Sequence, residues 1–156
     1  MRIHLAADYL GYELARELEQ WLKSNHEVIW HAGDELDEGD DYPLFAARVG
    51  QAVIQDEDKG LDTFGILVGG SGNGEIIAIN KVKGIRAALI WNADTAALAR
   101  DHNDANVAAI GARQHLQAEV LELIKIFIDR PFSGDERHVR RIGKIARFEQ
   151  TGEVIY

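Results

Sequence analysis

The chain has no cysteine, only two prolines and no apolar run long enough to cross a bilayer. The missing cysteines exclude disulfide staples, thiolate nucleophiles and cysteine-built zinc sites, and they suit a reducing compartment. Scarce proline beside 46% hydrophobic residues leaves no place for a long linker or a disordered arm. Positive charge is also in short supply: 17 Lys and Arg face 26 Asp and Glu, a formal net charge of −9. That balance argues against a nucleic-acid partner. The apolar part of MRIHLAADYLG is too short for a secretory signal, so a soluble cytoplasmic protein without membrane contact is expected. With 156 residues, no repeats and no composition break, residues 1–156 read as one domain with a buried core.

What is present is an alternation of short apolar runs and helical periodicity. Ile3–Ala7, Val28–Trp30, Phe64–Val68, Ala87–Ile90 and Val107–Ile110 read as strands. Helices fit Tyr12–Leu22, Glu75–Lys81, Ala93–His102 and Leu116–Ile128, with a further one whose first turn accepts Pro43 after the acidic loop Gly33–Asp41. A last helix, Arg137–Phe148, follows Ser133 and Glu136, which have capping-box spacing. Evenly apolar strands separated by helices predict an α/β fold: a doubly wound five-stranded parallel sheet, a Rossmann-like three-layer sandwich, with an extra C-terminal helix. Ligands of such a sheet bind at the carboxyl ends of the strands.

Those ends carry the unusual residues. The first strand runs into Asp8-Tyr9-Leu10-Gly11, the third into Gly69-Gly70-Ser71-Gly72-Asn73-Gly74-Glu75, and the fifth into Ile110-Gly111-Ala112-Arg113. The glycine loop lacks the Lys-Ser/Thr of a P-loop and the full spacing of a dinucleotide fingerprint. What remains is a strand-to-helix turn with unshielded N–H groups, suited to an anion or to negative charge developing on oxygen. Glu75 has two readings: an acid that suits the helix macrodipole, or a base beside the anion-stabilising loop.

His102 and Asn103 close a helix, where a histidine is also simply dipole-stabilised. No second His follows at i+4, and His4, His26, His31, His115 and His138 show no ligand spacing, so no metal site is expected. Arg137 and Arg141 share a helix face with Lys144 beside them. A solvated basic face is one reading and bidentate capture of a phosphate the other.

Taken together, D-x-x-G-Y-E at Asp8–Glu13, Asp41-Tyr42-Pro43, G-G-S-G-N-G-E at Gly69–Glu75, A-R-x-H-N at Ala99–Asn103, I-G-x-R at Ile110–Arg113 and R-H-x-R-R at Arg137–Arg141 resemble the type B ribose-5-phosphate isomerases. That family also includes galactose-6-phosphate isomerase subunits. The chain resembles its serine branch, with Ser71 where other members carry cysteine. The resemblance implies interconversion of ribose 5-phosphate and ribulose 5-phosphate through a cis-enediolate, in the pentose phosphate pathway and without a cofactor. It implies Glu75 as base, His102 with Asp8 for ring opening, and the amides of Gly70–Gly74, including Gly72 and Asn73, around the enediolate oxygen. Tyr42 and Asn103 would position the sugar, and Arg113, Arg137 and Arg141 would hold its phosphate. Family members are homodimers or dimers of dimers with shared sites.

One motif departs from the family. Where D-H-A-G is usual, this chain has Asp8-Tyr9-Leu10-Gly11. Tyr9 donates a hydrogen bond but carries no positive charge near neutral pH, and Leu10 adds bulk. The departure bears on the sugar: D-erythrulose 4-phosphate or a hexose 6-phosphate are alternatives. An inactive sugar-phosphate-binding module is the non-enzymatic one.

Overall fold

The computed structural model describes residues 1–154. Five strands, β1 (Arg2–Ala7), β2 (Glu27–Trp30), β3 (Thr63–Gly69), β4 (Ala87–Leu89) and β5 (Val107–Gly111), form one sheet in the order β2-β1-β3-β5-β4. Every pairing is parallel. The helices are α1 (Tyr12–Leu22), α2 (Tyr42–Glu57), α3 (Asn73–Ile79), α4 (Ala93–Asn103), α5 (Gln117–Asp129) and α6 (Glu136–Thr151). No helix among the described residues is long and apolar enough to cross a membrane.

Period-two alternation along the strands builds two cores. Ile3, Leu5, Ile66, Val68, Ala108 and Ile110 face α1, α4 and α5, burying Leu18, Ile124 and Phe127 completely. Ala6, Leu67, Val107 and Ala109 face α2 and α3, against Val49, Val53 and Ile79. Helices on both faces explain why the strands are apolar on both sides. The chain leaves β3 towards one face and leaves β1 and β5 towards the other, so crevices open on both sides of the end of β3. Register levels these ends, pairing Ala7 with Val68 and Gly69 with Gly111.

The start of α2 agrees with the expectation from Pro43, which sits in its first turn. α4 begins with a capping box: Thr95 N–H donates to Asn92 Oδ1 (2.8 Å), and Asn92 N–H donates to Thr95 Oγ1 (3.1 Å). The capping box expected at Ser133 does not form. α6 starts after Asp135 without a side-chain cap, which leaves Ser133 two residues before the cap position, its hydroxyl accepting only the Asp135 N–H at 3.4 Å. That hydroxyl donates to the Asp101 carbonyl at 2.7 Å, and the Ser133 N–H donates to the same oxygen at 3.1 Å. Together with the Arg130–Asp101 ion pair, this ties the start of α6 to the end of α4. Of the α6 residues only His138 is buried, while Val139, Ile145 and Phe148 are more than half exposed.

Candidate active site

The glycine loop leaves β3 and turns into α3 in too little space for side chains. Gly72 adopts φ +79°, a left-handed conformation, and a Cβ there would lie 3.1 Å from the Ile110 carbonyl carbon. The carbonyls of Gly69 and Gly70 accept the N–H groups of Ala112 (2.8 Å) and Arg113 (3.1 Å), so the segment after β5 clamps the loop from outside. The amides of Ser71, Gly72 and Gly74 find no acceptor among the described residues. They form a cradle of donors at the first turn of α3, where the helix also favours negative charge.

Glu75 lies beside that cradle and is only 4% exposed. Its carboxylate occupies the space over Gly69: a Cβ at that position would sit 2.3 Å from Oε1. Burial raises its proton affinity above that of an ordinary glutamate. Its own backbone N–H opposes this, whereas the nearby carboxylates of Asp8 and Asp40 reinforce it. Asp8, also buried, accepts from Gly11 N–H through Oδ1 (2.8 Å) and from Gly70 N–H through Oδ2 (3.3 Å). Burial first, then Asp8, pushes the Asp40 carboxyl upward.

Two side chains wall the cradle. Leu10 leans over Gly70, where a Cβ would come within 2.6 Å of its Cδ1. The Tyr42 ring covers Gly74 in the same way, at 2.6 Å from its Cζ. On the β4 side a cleft of about 500 Å³ opens between Ser71, Asn73, Trp91, Gly111, Gln114 and His115. The exposed Arg113 lies at this edge and has no carboxylate partner among the described residues. The structure thus gathers Asp8, Tyr9, Tyr42, Gly70–Glu75 and Arg113.

It does not gather the rest within one chain. α4 starts at the carboxyl edge of the sheet and carries the chain back to the amino edge, where β5 begins. Its 11 residues span about 16 Å. His102 and Asn103 therefore sit at the far edge. The Asn103 carbonyl accepts from Arg86 Nε (3.1 Å), just before β4. The His102 ring stacks on His138, with centroids 4.2 Å apart and planes 15° from parallel. Arg137 and Arg141 are exposed on the same helix, and Arg137 pairs with Asp135 at 3.3 Å. Farther along α6, Glu149 accepts the Gly84 N–H at 2.8 Å, so this helix runs beneath the amino edge. The sequence reading expected shared sites without assigning these residues to opposite edges, although the strand-helix-strand alternation implies it: a helix leading into a parallel strand ends where that strand starts. It also missed the contact between Asp8 and Glu75, for which no sequence spacing gives a signal.

The family described as Ribose/Galactose Isomerase matches residues 3–145. A ribose-5-phosphate isomerase B of Mycobacterium tuberculosis is 44% identical over 98% of this chain and 93% of its own length. Among solved structures, a ribose-5-phosphate isomerase B from Mycoplasma genitalium with bound ribulose-5-phosphate superimposes with a TM-score of 0.90. It is 38% identical, over 96% of this chain and 97% of that one. The Clostridium thermocellum ribose-5-phosphate isomerase B gives 0.89 at 39% identity, over 98% and 100% of the two chains. A buried carboxylate, bare amides and exposed arginines are thus found in a chain that belongs to the ribose/galactose isomerase family.

Proposed function

We propose that residues 1–156 act as one cytoplasmic sugar-phosphate isomerase domain, interconverting ribose 5-phosphate and ribulose 5-phosphate in the pentose phosphate pathway. One observation carries this reading: a buried carboxylate of raised proton affinity beside three unpartnered amides. An aldose becomes a ketose when a base removes the C2 proton and the electrons move onto the carbonyl oxygen, the 2-hydroxyl proton passes to that oxygen, and the base returns its proton at C1 as the C2 carbonyl forms. Glu75 is the group in place to carry that proton. The amides of Ser71, Gly72 and Gly74 stabilise the cis-enediolate oxygen, each oxyanion donor contributing about 10²–10³-fold. The Ser71 hydroxyl, Gly70, Asn73, Tyr9 and Tyr42 surround the sugar.

Ring opening and phosphate binding need the groups of the other edge. We assign His102, Asn103, Arg137 and Arg141 to the site of a second copy, so that each site joins the two edges across a homodimer or a dimer of dimers. Arg113 meets the phosphate from the chain that supplies Glu75. The exposed apolar side chains of α6 support such an assembly, since a second copy would cover them.

Leu10 over the cradle favours a second reading for the sugar, in which a shorter ketose phosphate such as D-erythrulose 4-phosphate fits better than a hexose 6-phosphate. Steady-state isomerisation of a panel of C4 to C6 sugar phosphates tests both. The highest kcat/KM on ribose 5-phosphate is expected. A preference for the C4 substrate would reassign the sugar, and no turnover of any member alongside tight binding would leave a binding module.

A further inference from the structure

We propose that Asp8 is a positioning residue that sets the proton affinity of Glu75, by holding a fixed carboxylate against the base. The inference rests on the isomerase reading above, with Glu75 as its base. Asp8 stands at the end of β1, where both oxygens are taken as acceptors: Oδ1 by Gly11 N–H at 2.8 Å and Oδ2 by Gly70 N–H at 3.3 Å. One amide comes from the turn into α1 and the other from the glycine loop, so the carboxylate is fixed between two elements and cannot swing away. Glu75 is fixed as well, because its carboxylate fills the space left by the absent Cβ of Gly69. Both acids are buried, at 8% and 4% exposure.

The groups facing Glu75 are few. Asp8 comes from β1, its Oδ2 held by Gly70 N–H next to the Gly69 position that the Glu75 carboxylate covers, and Asp40 comes from the loop before α2. From α3 itself, the Glu75 backbone N–H is the one opposing donor. The Tyr42 ring, from α2, covers Gly74. No Lys, Arg or His pairs with Glu75 among the described residues. Within one chain that single donor opposes burial and two neighbouring carboxylates, each of which favours the protonated acid.

This arrangement has a chemical use. A proton on carbon beside a carbonyl is weakly acidic, and a base works best when its own affinity lies near the working pH rather than two or three units below it. An ordinary glutamate is too weak by that margin. A fixed anion strengthens the base without touching substrate, which separates this role from the ring-opening part that the family resemblance gives Asp8. Within one chain Asp8 meets Glu75, whereas His102 lies at the opposite edge of the sheet.

Carbon-13 NMR titration of the Glu75 carboxyl, in the full-length protein with and without Asp8→Asn, reads the effect without relying on turnover. Glu75→Gln assigns the signal. Asn removes the charge and can turn its amide N–H towards Glu75, so the midpoint should fall by about one pH unit or more. The acid limb of kcat/KM should move the same way, with a lower plateau. Asp8→Ser keeps a hydroxyl acceptor for Gly11 N–H and predicts the same direction, should the asparagine variant fail to fold. If Asp8 only braces the turn, kcat falls at every pH while the Glu75 midpoint stays in place, and the proposal is overturned. A midpoint that falls in a protein turning over no sugar phosphate would uphold the coupling and sink the isomerase reading instead.

Discussion

The two edges of the sheet are chemical opposites. At the carboxyl edge, Asp8, Asp40 and Glu75 crowd together in partial or complete burial around amides without acceptors. At the amino edge, stacked imidazoles and exposed arginines sit on helices held together by Ser133 and Arg130. One edge carries buried carboxylates beside bare amides, and the other carries cations at the surface. On the reading proposed above, a sugar phosphate needs both, its reacting end at the first and its phosphate at the second. Each copy would then hold two half-sites separated by the length of its own strands.

The largest expected effect breaks the carboxyl edge. Glu75→Gln should keep the fold and lower kcat by about 10²–10⁴-fold, the usual contribution of a positioned general base. Near-normal turnover would remove Glu75 from the chemistry. Mixing tests the division itself. Glu75→Gln and His102→Ala, each impaired alone, should recover about a quarter of wild-type activity when unfolded and refolded together as random two-fold dimers. Mixtures no more active than the parents would show that the edges do not meet across copies.

Arg141→Ala addresses the amino edge alone. A charged contact to phosphate is worth roughly 1.5–3 kcal/mol, so KM should rise about 10- to 100-fold with kcat little changed. An unaltered KM would count against a phosphate at this edge.

The smallest effect concerns the scaffold between the edges. On the α2 face, His4 Nδ1 meets His31 Nε2 at 2.9 Å, and His4 Nε2 meets Asp56 Oδ2 at 3.0 Å beside Arg2. Burial lowers both histidines, His31 to about 4. A histidine whose folded affinity is depressed binds its proton first in the unfolded chain. Stability is therefore present above about pH 6.5 and falls as the pH drops towards 4. Asp56, lowered chiefly by Arg2, sustains stability above its ordinary range and loses it at still lower pH. Thermal melts of wild type and His31→Gln from pH 4 to 8 should converge on the acid side. Parallel curves would dismiss the histidines, and the experiment also separates acid unfolding from titration of Glu75.

Much of this architecture was legible in the sequence because it depends on local periodicity. Strand positions follow from runs such as Phe64–Val68, and the convergence of Asp8, the glycine loop and Arg113 follows from the doubly wound order. Ser133 misled because a hydroxyl three residues before a glutamate reads as a cap, while its actual acceptor, the Asp101 carbonyl, is remote in sequence. The meeting of Asp8 with Glu75 was hidden for the same reason, since parallel register joins residues far apart along the chain. The bulk of Leu10 was visible, but its resting place over Gly70 was not.

The berth of Glu75 is defined by an atom that is absent. One added methyl, in Gly69→Ala, would stand 2.3 Å from the carboxylate and evict it, while leaving the arginines at the opposite edge untouched. With Glu75 as the base and those arginines as the phosphate site, a catalyst and a receptor for the same phosphate would be neighbours in sequence space, one substitution apart.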